Sequence, residues 1–153
     1  MPLRYLFIDL DETLVHSAAS GANAPHPQFR CFTHGDYLTI LRPDAHVLLQ
    51  ACREEAREVI LFTFGERAYA QAICNEFGFG FQPAQILSCE HLLLSPKDLE
   101  PNGVLIDDME PSHKNARVKM ATLGIGADRY FQIPPFRPPQ FASCRVFTLG
   151  LPT

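Results

Sequence analysis

Short apolar runs bounded by polar or turn-forming residues recur along this chain, and helical spacing fills the gaps between them. Leu6 to Ile8, Val59 to Phe62, Ile86-Leu87, Val104 to Ile106 and Tyr130 to Ile133 each read as a strand, short and nearly continuous in apolar residues as in a parallel sheet covered on both faces. Pro43 suits the first turn of a helix running to about Arg57, with Ala45, Val47, Leu48, Leu49 and Cys52 as its apolar side. The charged run 53–58 closes that helix on a solvated face. A second helix is predicted from Glu66 to Phe77, stopped by Gly78, and a third from Ser112 to Leu123.

Between the first strand and the first helix the pattern changes. Ser17 to Pro27 is rich in Ala, Gly, Asn and Pro, which is loop composition and short enough for a flap. Phe29 to Phe32 and Tyr37 to Leu41, separated by Thr33-His34-Gly35-Asp36, read as a hairpin beside it. Near the other end, Pro134, Pro135, Pro138 and Pro139 forbid regular structure, and Val146 to Leu149 is either an edge strand or a tail packed on the core. Alternation of strands and helices predicts a doubly wound parallel α/β sheet. With 153 residues, 46 % of them hydrophobic, residues 1–153 make one domain, with a flap and hairpin over about 17–41 and a proline-rich segment over 134–153.

Composition narrows the partners. A formal charge of −4 carries no basic footprint of the kind that neutralises nucleic-acid phosphates, so bulk nucleic-acid binding is not expected. The five cysteines are odd in number, dispersed and without C-x-x-C spacing, which suggests reduced thiols rather than a zinc site or a disulfide framework. No signal-like segment precedes the first strand and no apolar run approaches the ~20 residues that span a bilayer, so a cytoplasmic protein without a membrane partner is expected. Oligomeric state is not encoded in any of these features.

Chemistry gathers where the first strand stops. Asp9 and Asp11 follow Ile8, two residues apart, at the sheet edge where open α/β folds bind ligands. Neighbouring carboxylates repel unless a cation or a shared proton relieves them, and a hard, oxygen-seeking ion such as Mg²⁺ is the natural partner. The plain alternative is a strand-end aspartate that caps a turn. Val59 to Phe62 delivers Thr63, and Val104 to Ile106 delivers the pair Asp107-Asp108, which on the plain reading is a surface turn before Pro111.

The string Asp9-Leu10-Asp11-Glu12-Thr13-Leu14-Val15-His16-Ser17 resembles motif one, D-x-D-x-T, of the haloacid dehalogenase (HAD) superfamily. Within it, the string is similar to the subfamily of phosphatases acting on the C-terminal domain (CTD) of RNA polymerase II, the NLI interacting factor-like group. Thr63 matches motif two, Lys97 in Ser95-Pro96-Lys97-Asp98-Leu99 resembles the motif-three lysine, and Asp107-Asp108 matches motif four, all in order. Arg42-Pro43 and Tyr69-Ala70 are further local matches. The resemblance covers about residues 3–113.

What the resemblance implies is a HAD-like Rossmannoid fold without a large cap, since only nine residues lie between Lys97 and Asp107. It implies a Mg²⁺-dependent phosphomonoesterase in which Asp9 is the nucleophile, forming an aspartyl-phosphate, and Asp11 the general acid and base. Thr63, through its hydroxyl and backbone N–H, and Lys97, through its positive charge, would bind the transferring phosphoryl group. Asp108, Asp9 and the backbone carbonyl of Asp11 would hold the metal, with Asp107 either a ligand or a group behind one. The implied substrate is a phosphorylated molecule, phosphoserine or phosphothreonine in protein first. Alternatives are a small metabolite, a nucleotide, a polynucleotide end, or a non-catalytic module that binds phosphorylated ligands. Arg42 and Arg67 are either substrate grips or ordinary helix-face arginines, and His16 is a structural residue under the loop. Phe64, Tyr69, Phe77, Phe79 and Phe81 read mostly as core, while Phe29, Phe32 and Tyr37 are candidates for a hydrophobic groove.

Overall fold

The computed structural model describes residues 3–19, 29–89 and 103–138. Five parallel strands form the main sheet: β1 (Leu3–Ile8), β5 (Ala56–Phe62), β6 (Ile86–Leu87), β7 (Gly103–Asp107) and β8 (Tyr130–Gln132), in the order β6-β5-β1-β7-β8. The chain winds outward from β1 through β5 to β6, then returns to the other side of β1 for β7 and β8. β1 therefore sits in the middle, and the crevice at its carboxyl end is the topological switch point.

Period-two alternation of buried side chains divides the core between the two faces. Leu6, Ile8, Val59, Leu61 and Val104 pack against α1 (Ala45–Glu55) and α2 (Arg67–Phe77). Phe7, Ile60, Phe62 and Leu105 pack on the opposite face, against Ala116, Met120 and Leu123 of α3 (Lys114–Leu123). α2 stops where expected: Gly78 takes a left-handed conformation, φ 66°, and its N–H donates to the Cys74 carbonyl.

Four expectations shift. α1 ends at Glu55 and β5 starts at Ala56, earlier than the helical pattern to Arg57 suggested. Pairing with β1, Leu3 opposite Ala56 and Tyr5 opposite Glu58, overrides the local helical preference of the charged run. The segment from Ser17 begins as strand rather than loop: β2 (Val15–Ala19) pairs antiparallel with β4 (Tyr37–Leu41), which also pairs with β3 (Cys31–His34). The β3–β4 turn is only Gly35-Asp36, and Gly35 at φ 56° supplies the positive φ that a two-residue hairpin needs. Val47, placed on the apolar side of α1 by its spacing, is 71 % exposed.

The start of the proline-rich segment has no regular structure but is firmly tied. The Phe136 N–H donates to the Glu12 carbonyl, and the Phe136 ring meets Phe29 edge-on at 5.9 Å over Leu38 and Ile40 of β4. Lys97, residues 20–28 and Val146 to Leu149 lie outside the described residues. Among the described residues no helix is long and apolar enough to cross a membrane.

Candidate active site

The site begins where β1 gives way to a tight loop. Asp9 still donates its N–H to the Ile106 carbonyl of β7, at 3.0 Å, so its position belongs to the sheet. Beyond it the Leu10 carbonyl accepts from the N–H groups of Thr13, Leu14 and Val15, which curls the chain toward β2. Leu10 and Leu14 anchor the curl by complete burial. Glu12 turns it at φ 67°, a left-handed conformation costing a non-glycine residue about 1–3 kcal/mol. Phe136 on its carbonyl, and His16 and Arg137 on its carboxylate at 2.8 and 3.1 Å, hold it there.

At the carboxyl ends of β1 and β7 three buried aspartates converge. Asp9, Asp107 and Asp108 each offer a carboxylate oxygen within 4.8 Å of the others. Lys119, only 2 % exposed, reaches into them from α3: Nζ donates to Asp9 Oδ1 at 2.8 Å, to Asp107 Oδ2 at 2.8 Å and to the Phe62 carbonyl at 3.1 Å. These three acceptors use all three ammonium protons. Thr13 Oγ1 lies 3.2 Å from Asp9 Oδ2 and 3.5 Å from Asp108 Oδ1. Asp107 Oδ1 accepts from the Met109 N–H, so both its oxygens already face N–H donors.

Burial dominates the electrostatics. It raises the Asp9 carboxyl well above the ordinary carboxylate value against the lowering pull of Lys119, and it raises Asp108 too. Burial works against the Lys119 ammonium, but Asp9 and Asp107 outweigh it and lift that group above the usual lysine range. Three carboxylates with one resident ammonium make a pocket of excess negative charge lined by hard oxygen donors, which fits a divalent cation of the Mg²⁺ type.

Asp11 faces elsewhere. Its carboxylate is not in the buried cluster; Oδ1 accepts from the Tyr69 hydroxyl at 2.7 Å, and burial raises its pKa against that donation. Asp11 borders an open cleft of about 630 Å³ lined also by Glu12, Tyr37, Gly65, Glu66 and Tyr69. Thr63, fully buried, follows β5 next to β1. Its N–H donates to the Leu87 carbonyl, so the expectation that this N–H is open to phosphate is corrected by the pairing with β6. Its hydroxyl accepts from the Gly65 N–H and keeps its own proton to give.

Asp9, Asp107 and Asp108 are thus brought together, with Asp11 and Thr63 on neighbouring strand ends. Arg42 serves the scaffold, binding Asp44, the Thr13 carbonyl and the Pro134 carbonyl. Arg67 holds the carbonyls of Pro83 and Ile86. Tyr69, expected in the core, lines the cleft instead because its hydroxyl finds Asp11; Tyr37 lines the cleft as well, whereas Phe29 is buried and Phe32 packs on Phe77. Lys119 escaped the sequence reading. Its signal is a lysine within the spacing of the buried stripe Ala116, Met120, Leu123, where an unpaired charge would be costly.

The family profile of NLI interacting factor-like phosphatases matches residues 4–112. Two solved structures of Fcp1, an RNA polymerase II CTD phosphatase, share the fold. The fission yeast protein bound to beryllium fluoride superimposes with a TM-score of 0.60 at 20 % identity, over 90 % of this chain and 42 % of that one. A second Fcp1 structure gives 0.59 at 19 %, over 90 % and 43 %. The chain therefore spans less than half the length of these structures. No curated protein sequence matches it.

Proposed function

Because the chain belongs to the NLI interacting factor-like phosphatase family, we propose that it hydrolyses phosphomonoesters through an aspartyl-phosphate on Asp9, with phosphoserine or phosphothreonine in protein as the substrate class. The observation that carries this reading is the buried Asp9 carboxylate, held 2.8 Å from Lys119 beside Asp107 and Asp108 at the switch point of the sheet.

In the first step an Asp9 oxygen forms a bond to phosphorus while the bond to the leaving oxygen breaks, and Asp11 gives that oxygen its proton. In the second, Asp11 takes a proton from water, whose oxygen displaces Asp9 and releases inorganic phosphate. Lys119 fixes Asp9 and offsets the repulsion between carboxylate and phosphate, and the Thr63 hydroxyl donates to a phosphoryl oxygen. Asp9, Asp108 and the Asp11 carbonyl would hold Mg²⁺, while Asp107, occupied by Lys119 and Met109, orients the lysine. A bound Mg²⁺ supplies charge that keeps the buried carboxylates ionised and neutralises the phosphoryl oxygens.

The cleft favours a peptide over a polyanion. Asp11, Glu12, Asp36 and Glu66 line it, a field that repels nucleotides and polynucleotide ends, and its open shape admits an extended chain. Hydrolysis of phosphopeptides, nucleotides and sugar phosphates, each with Mg²⁺ and with EDTA, tests the reading. Mg²⁺-dependent turnover highest on phosphopeptides supports it. Preference for nucleotides or sugar phosphates would refute the substrate class, and phosphopeptide binding without turnover would favour a binding module.

A further inference from the structure

Three hydroxyls from three elements form a chain that ends on Asp11. Thr39 Oγ1 of β4 lies 2.7 Å from Ser17 Oγ of β2, Ser17 Oγ lies 2.5 Å from the Tyr69 hydroxyl of α2, and Tyr69 donates to Asp11 Oδ1 at 2.7 Å. Each hydroxyl has one proton to give. The Tyr69 proton is committed to Asp11, so Tyr69 accepts from Ser17, and Ser17 in turn accepts from Thr39. With Asp11 ionised, the order of donation is Thr39 to Ser17 to Tyr69 to Asp11. Thr39 is fully buried, which anchors the far end, and bonds aligned in one direction strengthen each other.

The chain has a chemical consequence at Asp11. While Tyr69 donates to Oδ1, a proton on this carboxyl resides on Oδ2. The ring position is equally constrained: a Cβ at Gly65 would come within 3.0 Å of Tyr69 Cδ1, so glycine there lets the tyrosine lie close to the Thr63 turn.

Resting on the phosphatase reading above, we propose that Tyr69, backed by Ser17 and Thr39, is a positioning residue that clamps Asp11 Oδ1 and leaves Oδ2 as the oxygen that exchanges the proton with the leaving group and then with water. Oδ2 gives its proton to the leaving oxygen as that oxygen's bond to phosphorus breaks and the bond from an Asp9 oxygen to phosphorus forms; in the second step Oδ2 takes a proton back from water as the water oxygen displaces Asp9. The small antiparallel sheet is thereby coupled to the chemistry rather than acting only as a wall of the cleft.

A leaving-group comparison tests this. Tyr69→Phe keeps the ring and the cleft but removes the clamp. Protonation matters little for p-nitrophenyl phosphate, whose leaving group is stable as an anion, and much for phenyl phosphate. Expected for Tyr69→Phe is a fall in kcat/KM of about ten- to hundredfold on phenyl phosphate and within about threefold on p-nitrophenyl phosphate. In an Asp11→Ala background the same substitution should change neither. Ser17→Ala, which keeps the Tyr69 hydroxyl but removes its donor, should shift the ratio of the two substrates in the same direction and serves if Tyr69→Phe folds poorly. Equal losses on both substrates, or a further loss without Asp11, would overturn the proposal while leaving Asp9-dependent wild-type turnover, and hence the phosphatase reading, intact. A wild type that hydrolyses neither ester would bring down both.

Discussion

Lys119 Nζ lies 2.8 Å from Asp9 Oδ1 although 110 positions separate the two residues in the chain. The contact spans the switch point: β1 delivers the aspartate, and α3, which follows the acidic pair at the end of β7, returns the lysine over the same edge. Removing one member of a buried, hydrogen-bonded charge cluster leaves the others uncompensated, commonly at a cost of ~3–5 kcal/mol.

Lys119→Met should accordingly lose about 3–5 kcal/mol in urea unfolding and about a hundredfold or more in kcat. Lys97→Ala is the informative partner, because the sequence pattern assigned the motif lysine there. If Lys119 carries the role, Lys97→Ala keeps kcat within a few-fold; silencing by Lys97→Ala with an active Lys119→Met would return the role to Lys97.

Metal should couple to stability through the same carboxylates. Burial raises Asp9 and Asp108, so without a cation the folded state binds protons more readily than the unfolded one. Stability then falls as pH rises from the ordinary carboxylate value through those raised values. Thermal unfolding in EDTA should show that decline, Mg²⁺ should flatten it and raise Tm, and Asp108→Asn should abolish most of the Mg²⁺ effect. A Tm indifferent to Mg²⁺ in the wild type would contradict the metal assignment.

On the proposed mechanism the general acid sets a limb of the pH profile: Asp11 would act in its protonated form during the first step, and burial raises its pKa, so kcat/KM should fall as pH rises through a value above the ordinary carboxylate range. Asp11→Asn should lose about two to four orders of magnitude on phenyl phosphate and, with them, that limb. A limb unchanged in Asp11→Asn would assign it to another group.

The Gly65 backbone constrains the Tyr69 ring as well. A methyl group there meets Tyr69 at 3.0 Å and the Thr63 hydroxyl at 3.4 Å, and overpacking of this kind typically costs ~1–3 kcal/mol. Gly65→Ala should lower Tm and depress phenyl phosphate hydrolysis through the displaced tyrosine. Wild-type behaviour in both assays would show that the Tyr69 ring has slack.

Much of this was legible in the sequence because the main sheet follows local rules. Leu6 to Ile8, Val59 to Phe62 and Val104 to Ile106 announce strands by their apolar runs, and the residues that end them, Asp9, Thr63 and Asp107-Asp108, bring the buried acidic cluster and a buried hydroxyl to one edge of the sheet. What escaped depends on pairing between distant segments. Ser17 to Ala19 becomes strand only because Tyr37 to Thr39 lies alongside, and Ala56 leaves the helix only because Leu3 is its neighbour. Lys119 looks like one more polar residue on a helix until Asp9 and Asp107 are seen beneath it. Tyr69 reads as core by spacing, and only its hydroxyl partner distinguishes it.

The most direct test of the central claim is chemical trapping of the phosphoryl group on Asp9. Rapid acid quench of the enzyme turning over a ³²P-labelled phosphopeptide, followed by peptide mapping, should find a hydroxylamine-labile acyl phosphate on the peptide that contains Asp9, and none with Asp9→Asn. Turnover with no label on that peptide, or full activity in Asp9→Asn, would contradict the account.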